Sequence, residues 1–309
     1  MDPFENWTKF STASLSDFQP LVETPRLKIC FNRRLGAIEA SHFIGDKKIM
    51  EVDYARWWTE NGQRYMESLQ ACRTRQAKII LGALSEESFS IESLMDFGAG
   101  PGWFLESCRK FGVSNLVAAD ASIESVEFLK KKNFKAFAVY PDSEGAFRLE
   151  ESIDYSSIRV VSFLDVIEHF PPELCVSNIK YILSQMSQLE KVVIKVPYSR
   201  GLFFRISMSL AKLGKFSLLE QLFQVGTYPP HFQVFNEVSL RRVLESLELK
   251  PIKWIVDPDF EADSFGQRVK LLSMLPKWLG QLIGRLFFRI IQITGWQDSI
   301  IVIAVPKSK

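Results

Sequence analysis

Three short groups of residues have types and spacings that could do chemistry. The first is Asp96-Phe97-Gly98-Ala99-Gly100-Pro101-Gly102, which follows an apolar run over 93–97. Glycines adopt positive φ and let a ligand approach the backbone. A strand that ends in such a turn and opens a helix occupies the nucleotide-site position of an open α/β sheet. The spacing is G-x-G-x-G, and Trp103 stands where a dinucleotide fingerprint needs its third glycine. Asp96 just before the turn repels a pyrophosphate but suits an ammonium group. The second group is Asp120, at the tip of the next apolar run, where an acid hydrogen-bonds ribose hydroxyls. The third is Asp165, Glu168 and His169, at i, i+3 and i+4, with His231 later in the chain. A helix there would put the first three on one face. A neutral imidazole near pH 7 accepts an acceptor's proton. The same residues could instead bind a divalent metal or brace a loop.

The glycine motif resembles the first motif of the class I S-adenosylmethionine (SAM)-dependent methyltransferases, D/E-x-G-x-G-x-G. The stretch Asp165-Val166-Ile167-Glu168-His169 closely resembles the ubiquinone-pathway O-methyltransferases and their relatives. Val196-Pro197-Tyr198 is similar to that group's V-P-N, with Tyr198 a departure. The resemblance runs over roughly residues 75–256 and resumes at the last strand near Ser299. It implies SAM as cofactor, with Asp96 toward the methionyl moiety and Gly98, Gly100 and Gly102 as the backbone cradle. It also implies Asp120 on the ribose, Leu164 and Asp165 beside the methionine portion, and Asp142 near the adenine. His169 or His231 would act as base, with no resident metal. The acceptor implied is small, apolar or lipid- or carrier-linked. The Glu-His pair with a later His is also similar to the small-RNA 2′-O-methyltransferases, which use E-x-x-E-H plus a His to hold Mg²⁺. Here Asp165 replaces the first Glu and shortens the reach. A non-catalytic SAM-binding, membrane-associated protein is the remaining alternative.

The elements that must position these residues follow from periodicity. Short apolar runs at 93–97, 115–119, 134–140, 159–164 and 191–196 alternate with helical stretches at 103–111, 122–132 and 174–188. That rhythm predicts an α/β, Rossmann-like sheet, mostly parallel, with helices on both faces. A helix capped by Asn236, a strand at 250–256 and a last, antiparallel strand at 299–305 complete seven strands. Residues 53–84 read as helical, and short strands are expected at 26–32 and 37–49. The division expected is an N-terminal extension with cap helices over 1–74 and a methyltransferase domain over 75–309.

Composition narrows the partners. The 309 residues carry a net charge of +2, too balanced to argue for a nucleic-acid acceptor. Four scattered cysteines without a C-x-x-C pair point to a reducing, cytoplasmic setting. No basic region followed by an apolar run opens the chain, and no 18-residue apolar run suits a spanning helix. Two helical insertions interrupt the domain. Residues 198–230 are apolar and basic, like a lid over an acceptor; residues 259–297 hold a helix over 271–294. That helix is expected to gather Leu279, Leu282, Ile283, Leu286, Phe287, Ile290, Ile291 and Ile293 on one face, opposite Arg285 and Arg289. A peripheral membrane contact, packing against residues 201–216 and a dimer contact are all open for it.

Overall fold

The computed structural model describes residues 17–42, 60–86, 90–140, 146–226, 230–262 and 276–307. An antiparallel meander of β1 (Phe18–Glu23), β2 (Leu27–Asn32) and β3 (Ala37–His42) precedes helix α1 (Glu60–Leu84). The alternation then runs β4 (Ser93–Phe97), α2 (Trp103–Lys110), β5 (Asn115–Asp120), α3 (Ile123–Lys131) and β6 (Lys135–Ala138). It continues with β7 (Val160–Leu164), α4 (Cys175–Ser184) and β8 (Lys191–Pro197). Helices α5 (Leu202–Ala211) and α6 (Ser217–Leu222) lead to the short strand β9 (Gln233–Val234). The chain closes with α7 (Glu237–Ser246), β10 (Leu249–Asp257), α8 (Lys277–Thr294) and β11 (Ser299–Pro306).

Seven strands form the main sheet in the order β10-β11-β8-β7-β4-β5-β6. Strands β4 to β8 pair in parallel, and β11 runs antiparallel between β8 and β10. This is the expected Rossmann-like sheet with an antiparallel last strand. Helices cover both faces, which is why the central strands are continuous apolar runs. Ala77, Ile80, Leu81 and Leu84 of α1 share one core with Leu105 of α2 and Leu129 of α3. Ile179 and Ile182 of α4 share the opposite core with Leu240 and Leu244 of α7. Helix α1 runs through residues 74 and 75, so the cap helix and the domain share one element.

The second sheet is the part the periodicity misses. It has the order β1-β2-β3-β9, because two residues after α6 pair with β3 as Ile38↔Val234 and Glu39↔Gln233. A two-residue strand leaves no period to read. The expected strands at 26–32 and 37–49 are β2 and β3 as far as His42; residues 43–49 lie outside the described residues, as does the start, 53–59, of the helix expected over 53–84. Strand β1 lies at the exposed edge, with Pro20 beside a register shift, a position that tolerates its missing N–H. Beneath this sheet Leu27, Ile29 and Ala40 pack on Phe204, Leu219 and Phe223 of the 198–230 insertion.

Helix α8 differs from its expected single apolar face. Ile283, Phe287, Ile290 and the fully buried Ile291 pack with Leu202, Phe203, Ile206 and Phe260. Leu282, Leu286 and Ile293 turn outward on the side of Arg285 and Arg289. The inward face is centred on the buried Gly280 and Gly284, which add no hydropathy but allow close approach.

Helix α7 begins with a reciprocal capping box. Asn236 Oδ1 accepts from Val238 and Ser239 N–H at 2.9 and 3.0 Å, and its Nδ2 donates to Gly36 O at 2.8 Å. Asn236→Ala removes both the cap and this tie to the N-terminal meander. The expected loss is about 1–2 kcal/mol in urea unfolding; an unchanged midpoint would show the cap to be dispensable.

Candidate active site

The glycine turn joins β4 to α2 and is tied to β5, since Gly98 and Ala99 N–H both donate to Ala119 O at 2.7 and 3.1 Å. Gly98, Gly100 and Gly102 have φ of +78°, +51° and +79°. A Cβ on Gly98 would lie 2.3 Å from Val166 Cγ2, and one on Gly102 would lie 2.4 Å from Leu129 Cδ2. Over Gly100 nothing lies within 4 Å. The outer glycines therefore admit neighbouring side chains, while Gly100 offers bare backbone to open space. Asp120 closes the turn by accepting Gly100 N–H at 2.7 Å and Ser122 N–H at 2.8 Å, with the Ser125 hydroxyl as a further donor.

Asp96 is buried at the end of β4 and accepts a hydrogen bond from Ser162 Oγ at 2.6 Å. Burial pushes its carboxyl up to about 7 against the Ser162 bond, with the charge of Asp120 adding a smaller push. Burial likewise raises the Asp120 carboxyl. Two buried acids beside the half-buried backbone of Gly98 and Gly100 make a setting that favours a cationic, hydroxyl-bearing ligand. That is the chemistry of an amino acid joined to a nucleoside through a sulfonium. Leu164 is half-buried at the end of β7, at the same edge of the sheet; Asp142 lies outside the described residues.

Asp165, Glu168 and His169 do not share a helical face. Only one 3₁₀ turn, Ile167–His169, follows β7, and Asp165 sits at φ +59°. Its carboxylate pairs with Arg73 at 2.7 Å and Lys195 at 2.5 Å. Lys195, 1% exposed, also reaches Asp259 at 2.8 Å, and Arg73 reaches Asp259 at 2.9 Å. Gln76 donates to Asp257 and Asp259, and Arg75 pairs with Asp257 and Glu261. This network ties α1 to the ends of β7, β8 and β10. None of Arg73, Lys195 or Asp259 stood out as a site residue in the sequence; two basic residues spaced like Arg73 and Arg75 on a helix are usually a solvated face.

Glu168 and His169 turn instead toward His231. One ligand atom from each of the three lies within 4.8 Å of the others. His169 Nδ1 lies 3.0 Å from Pro230 O and His231 Nδ1 lies 2.7 Å from Leu222 O. A carbonyl only accepts, so each Nδ1 carries the hydrogen and each Nε2 the lone pair. Gln224 Nε2 donates to His231 Nε2 at 2.9 Å. Desolvation, and then the neighbouring His169, push the His231 imidazole well below its usual value. Glu168 is fully buried, and neither carboxylate oxygen has a hydrogen-bond partner among the described residues. Burial first, and the charge of Asp165 second, raise its carboxyl well above the usual range. His42, at the end of β3, donates from Nε2 to His231 O at 2.8 Å. All three histidines of the chain thus converge. That rarity was the available signal for His42, which motif reading passes over.

The chain belongs to the methyltransferase-domain family, which matches residues 63–253. Among solved structures it is similar to a SAM-dependent methyltransferase from Archaeoglobus fulgidus. The two are 17% identical, with a TM-score of 0.51 over 82% of this chain and 100% of that one. It is also similar to magnesium protoporphyrin IX methyltransferase from Synechocystis PCC 6803, solved with bound S-adenosylhomocysteine. There the identity is 13% and the TM-score 0.49, over 84% of this chain and 100% of that one. No curated protein matches the sequence significantly. The protein is a SAM-dependent methyltransferase, and SAM is its cofactor.

The buried charge network makes a test of its own. Lys195→Met leaves Asp165 and Asp259 short of a cation in a poorly solvated place. It should cost about 3 kcal/mol in urea unfolding, with part of the loss recovered in Lys195→Met/Asp165→Asn. A loss under about 1 kcal/mol would mean that the network behaves as a surface pair.

Proposed function

We propose that the enzyme methylates a small, apolar or lipid-linked acceptor in the cytoplasm, with His169 taking the acceptor's proton and His231 held beside it. The observation that carries this reading is the pair of imidazoles whose Nδ1–H groups are anchored on backbone carbonyls, so that both lone pairs sit on Nε2 at the carboxyl edge of the sheet. His231 is engaged by Gln224, and His169 stands on the turn that directly follows β7, so the reading assigns the base to His169. The resemblance of the D-V-I-E-H stretch to the ubiquinone-pathway O-methyltransferases supports a small apolar acceptor. The apolar 198–230 insertion, packed beside the site, supports it further. In this reading residues 1–74 cap the site, 75–309 form the catalytic domain and 198–230 act as its lid. A peripheral membrane contact within 271–294 belongs to the same reading.

Asp96 and Asp120 hold SAM, with Gly98, Gly100 and Gly102 as its backbone bed and Leu164 and Asp165 beside the methionine portion; Asp142 is assigned to the adenine by resemblance alone. SAM supplies an electrophilic methyl group on a sulfonium that leaves as a neutral thioether. Positioning therefore does much of the work, and the base has only the acceptor's proton to remove.

A second reading has one observation in its favour. Glu168, His169 and His231 could hold a divalent cation, since the buried carboxylate has no hydrogen bond and each His has its Nδ1–H anchored. Asp165 would stand outside that set, locked to Arg73 and Lys195. This reading predicts methyl transfer to RNA 2′-hydroxyls that EDTA abolishes and Mg²⁺ or Mn²⁺ restores.

The first reading is tested with labelled SAM and a lipid extract. His169→Ala should lower kcat by roughly a hundredfold with SAM affinity unchanged; full activity in that variant, or EDTA-sensitive transfer to RNA, would sink it. Asp96 gives a pH test by calorimetry. Its carboxyl is protonated below about 7, and the ligand's ammonium favours the ionised form. SAM affinity should therefore rise as pH increases through 7, by up to roughly tenfold per unit below it, with proton release. In Asp96→Asn that slope should vanish; a slope equal to the wild type's would remove Asp96 from the cofactor site.

A further inference from the structure

We infer that the outward face of α8 is a docking surface for an anionic lipid bilayer. Trp278, Leu282, Leu286 and Ile293 are 65%, 59%, 57% and 85% exposed. At 3.6 residues per turn they fall with Arg285 and Arg289 in a sector of about 100°. The opposite side, with Gly280, Gly284 and Ile291, is already used against α5 and Phe260. The exposed residues are therefore not a core waiting for its own chain.

The charge decides between occupants. No Asp or Glu occurs between Ser264 and Gln297. In a two-fold contact with a second copy this face would meet itself. Arg289 would then face the same arginine of the second copy across an apolar contact, in a segment whose sequence holds no acid. An anionic bilayer offers hydrocarbon for Trp278, Leu282, Leu286 and Ile293, and phosphates for the arginines. No described helix is long and apolar enough to cross a membrane, so the contact is made in the plane of the surface. Helix α5, on which α8 rests, leaves the carboxyl end of β8, so the surface stands on the acceptor side of the sheet. The proposal deepens the lipid-linked reading, but its test does not depend on turnover.

Full-length protein is floated with phosphatidylcholine vesicles and with vesicles that also contain phosphatidylglycerol. The expected result is flotation with the anionic vesicles that weakens with salt. Leu282→Glu/Leu286→Glu and Arg285→Gln/Arg289→Gln should each cut the partition coefficient roughly tenfold or more. Both variants change exposed side chains, so their SAM titrations should match the wild type's. The proposal falls if the wild type does not float, or if Leu282→Glu/Leu286→Glu floats as well as it does. It falls also if light scattering shows a dimer that this variant splits and no vesicle binds. Vesicle binding without methyl transfer to any lipid sustains the surface and removes only the lipid-linked acceptor.

Discussion

The meeting of the three histidines depends on the backbone of five residues, His231–Phe235. His231 N–H donates to Phe223 O, Phe232 N–H to Glu168 O, and Phe235 N–H to Pro197 O. In the other direction Ala40 N–H donates to Phe232 O and Ser199 N–H to Phe235 O. This strap therefore joins α6, the Glu168–His169 turn, the N-terminal sheet and the end of β8. Buried peptide groups must be paired, and an orphan costs about 1–3 kcal/mol. All of those partners but Phe223 are distant in sequence, so four of the five pairings are not available in a local fragment. The position of the imidazoles is thus a consequence of tertiary backbone accounting, and His42 enters the cluster through the same pairing that makes β9 a strand.

Burial of charge separates residues that look alike in the sequence. Asp96, Asp120, Asp165 and Glu168 all stand at carboxyl ends of parallel strands or just after them. Asp165 is answered by Arg73 and Lys195, and its role in the fold is to fasten α1 and β8 to the end of β7. Asp96 is answered only by the Ser162 hydroxyl and Asp120 by two peptide N–H groups, and burial raises both carboxyls. An acid kept at that cost next to open glycine backbone is relieved when a cation arrives. Asp96 thus keeps a charge that the protein itself leaves without a cation among the described residues, while Asp165 already has its counter-ions.

The parallel sheet, the glycine turn and the acids at its rim were legible because each is local. Five apolar residues, a turn and an amphipathic helix repeat within about thirty positions. Asn236 was legible as a cap for the same reason. What could not be read was set by partners far away. Asp165 has the spacing of a helical face, yet a positive φ and two cations turn it elsewhere. The two faces of α8 were confused because hydropathy ignores the glycines that mark its inner side. Strand β9 has two residues and no pattern at all. Lys195 reads as a polar interruption in a strand that is otherwise apolar, and its reason appears only when β10 delivers Asp259.

These failures share a dependence on partners distant in the chain. The glycine turn and its two acids lie within the contiguous stretch from β4 to β5. Asp165 and Lys195 stand at the ends of β7 and β8 but answer to α1 and to Asp259 beyond β10, and β9 and α8 answer to β3 and α5. Two of the three histidines, His42 and His231, belong to the pairing of β3 with the strap. A local code suffices for a glycine turn and two acids held within one β-α-β stretch. The strap around β9 and the inner face of α8 are built differently, from pairings with β3, α5 and Phe260 that lie far away in the chain. A change in β9 or α8 would disturb those pairings and leave the register of the parallel strands as it is, whereas a change at Gly100 or Asp120 acts on the turn itself.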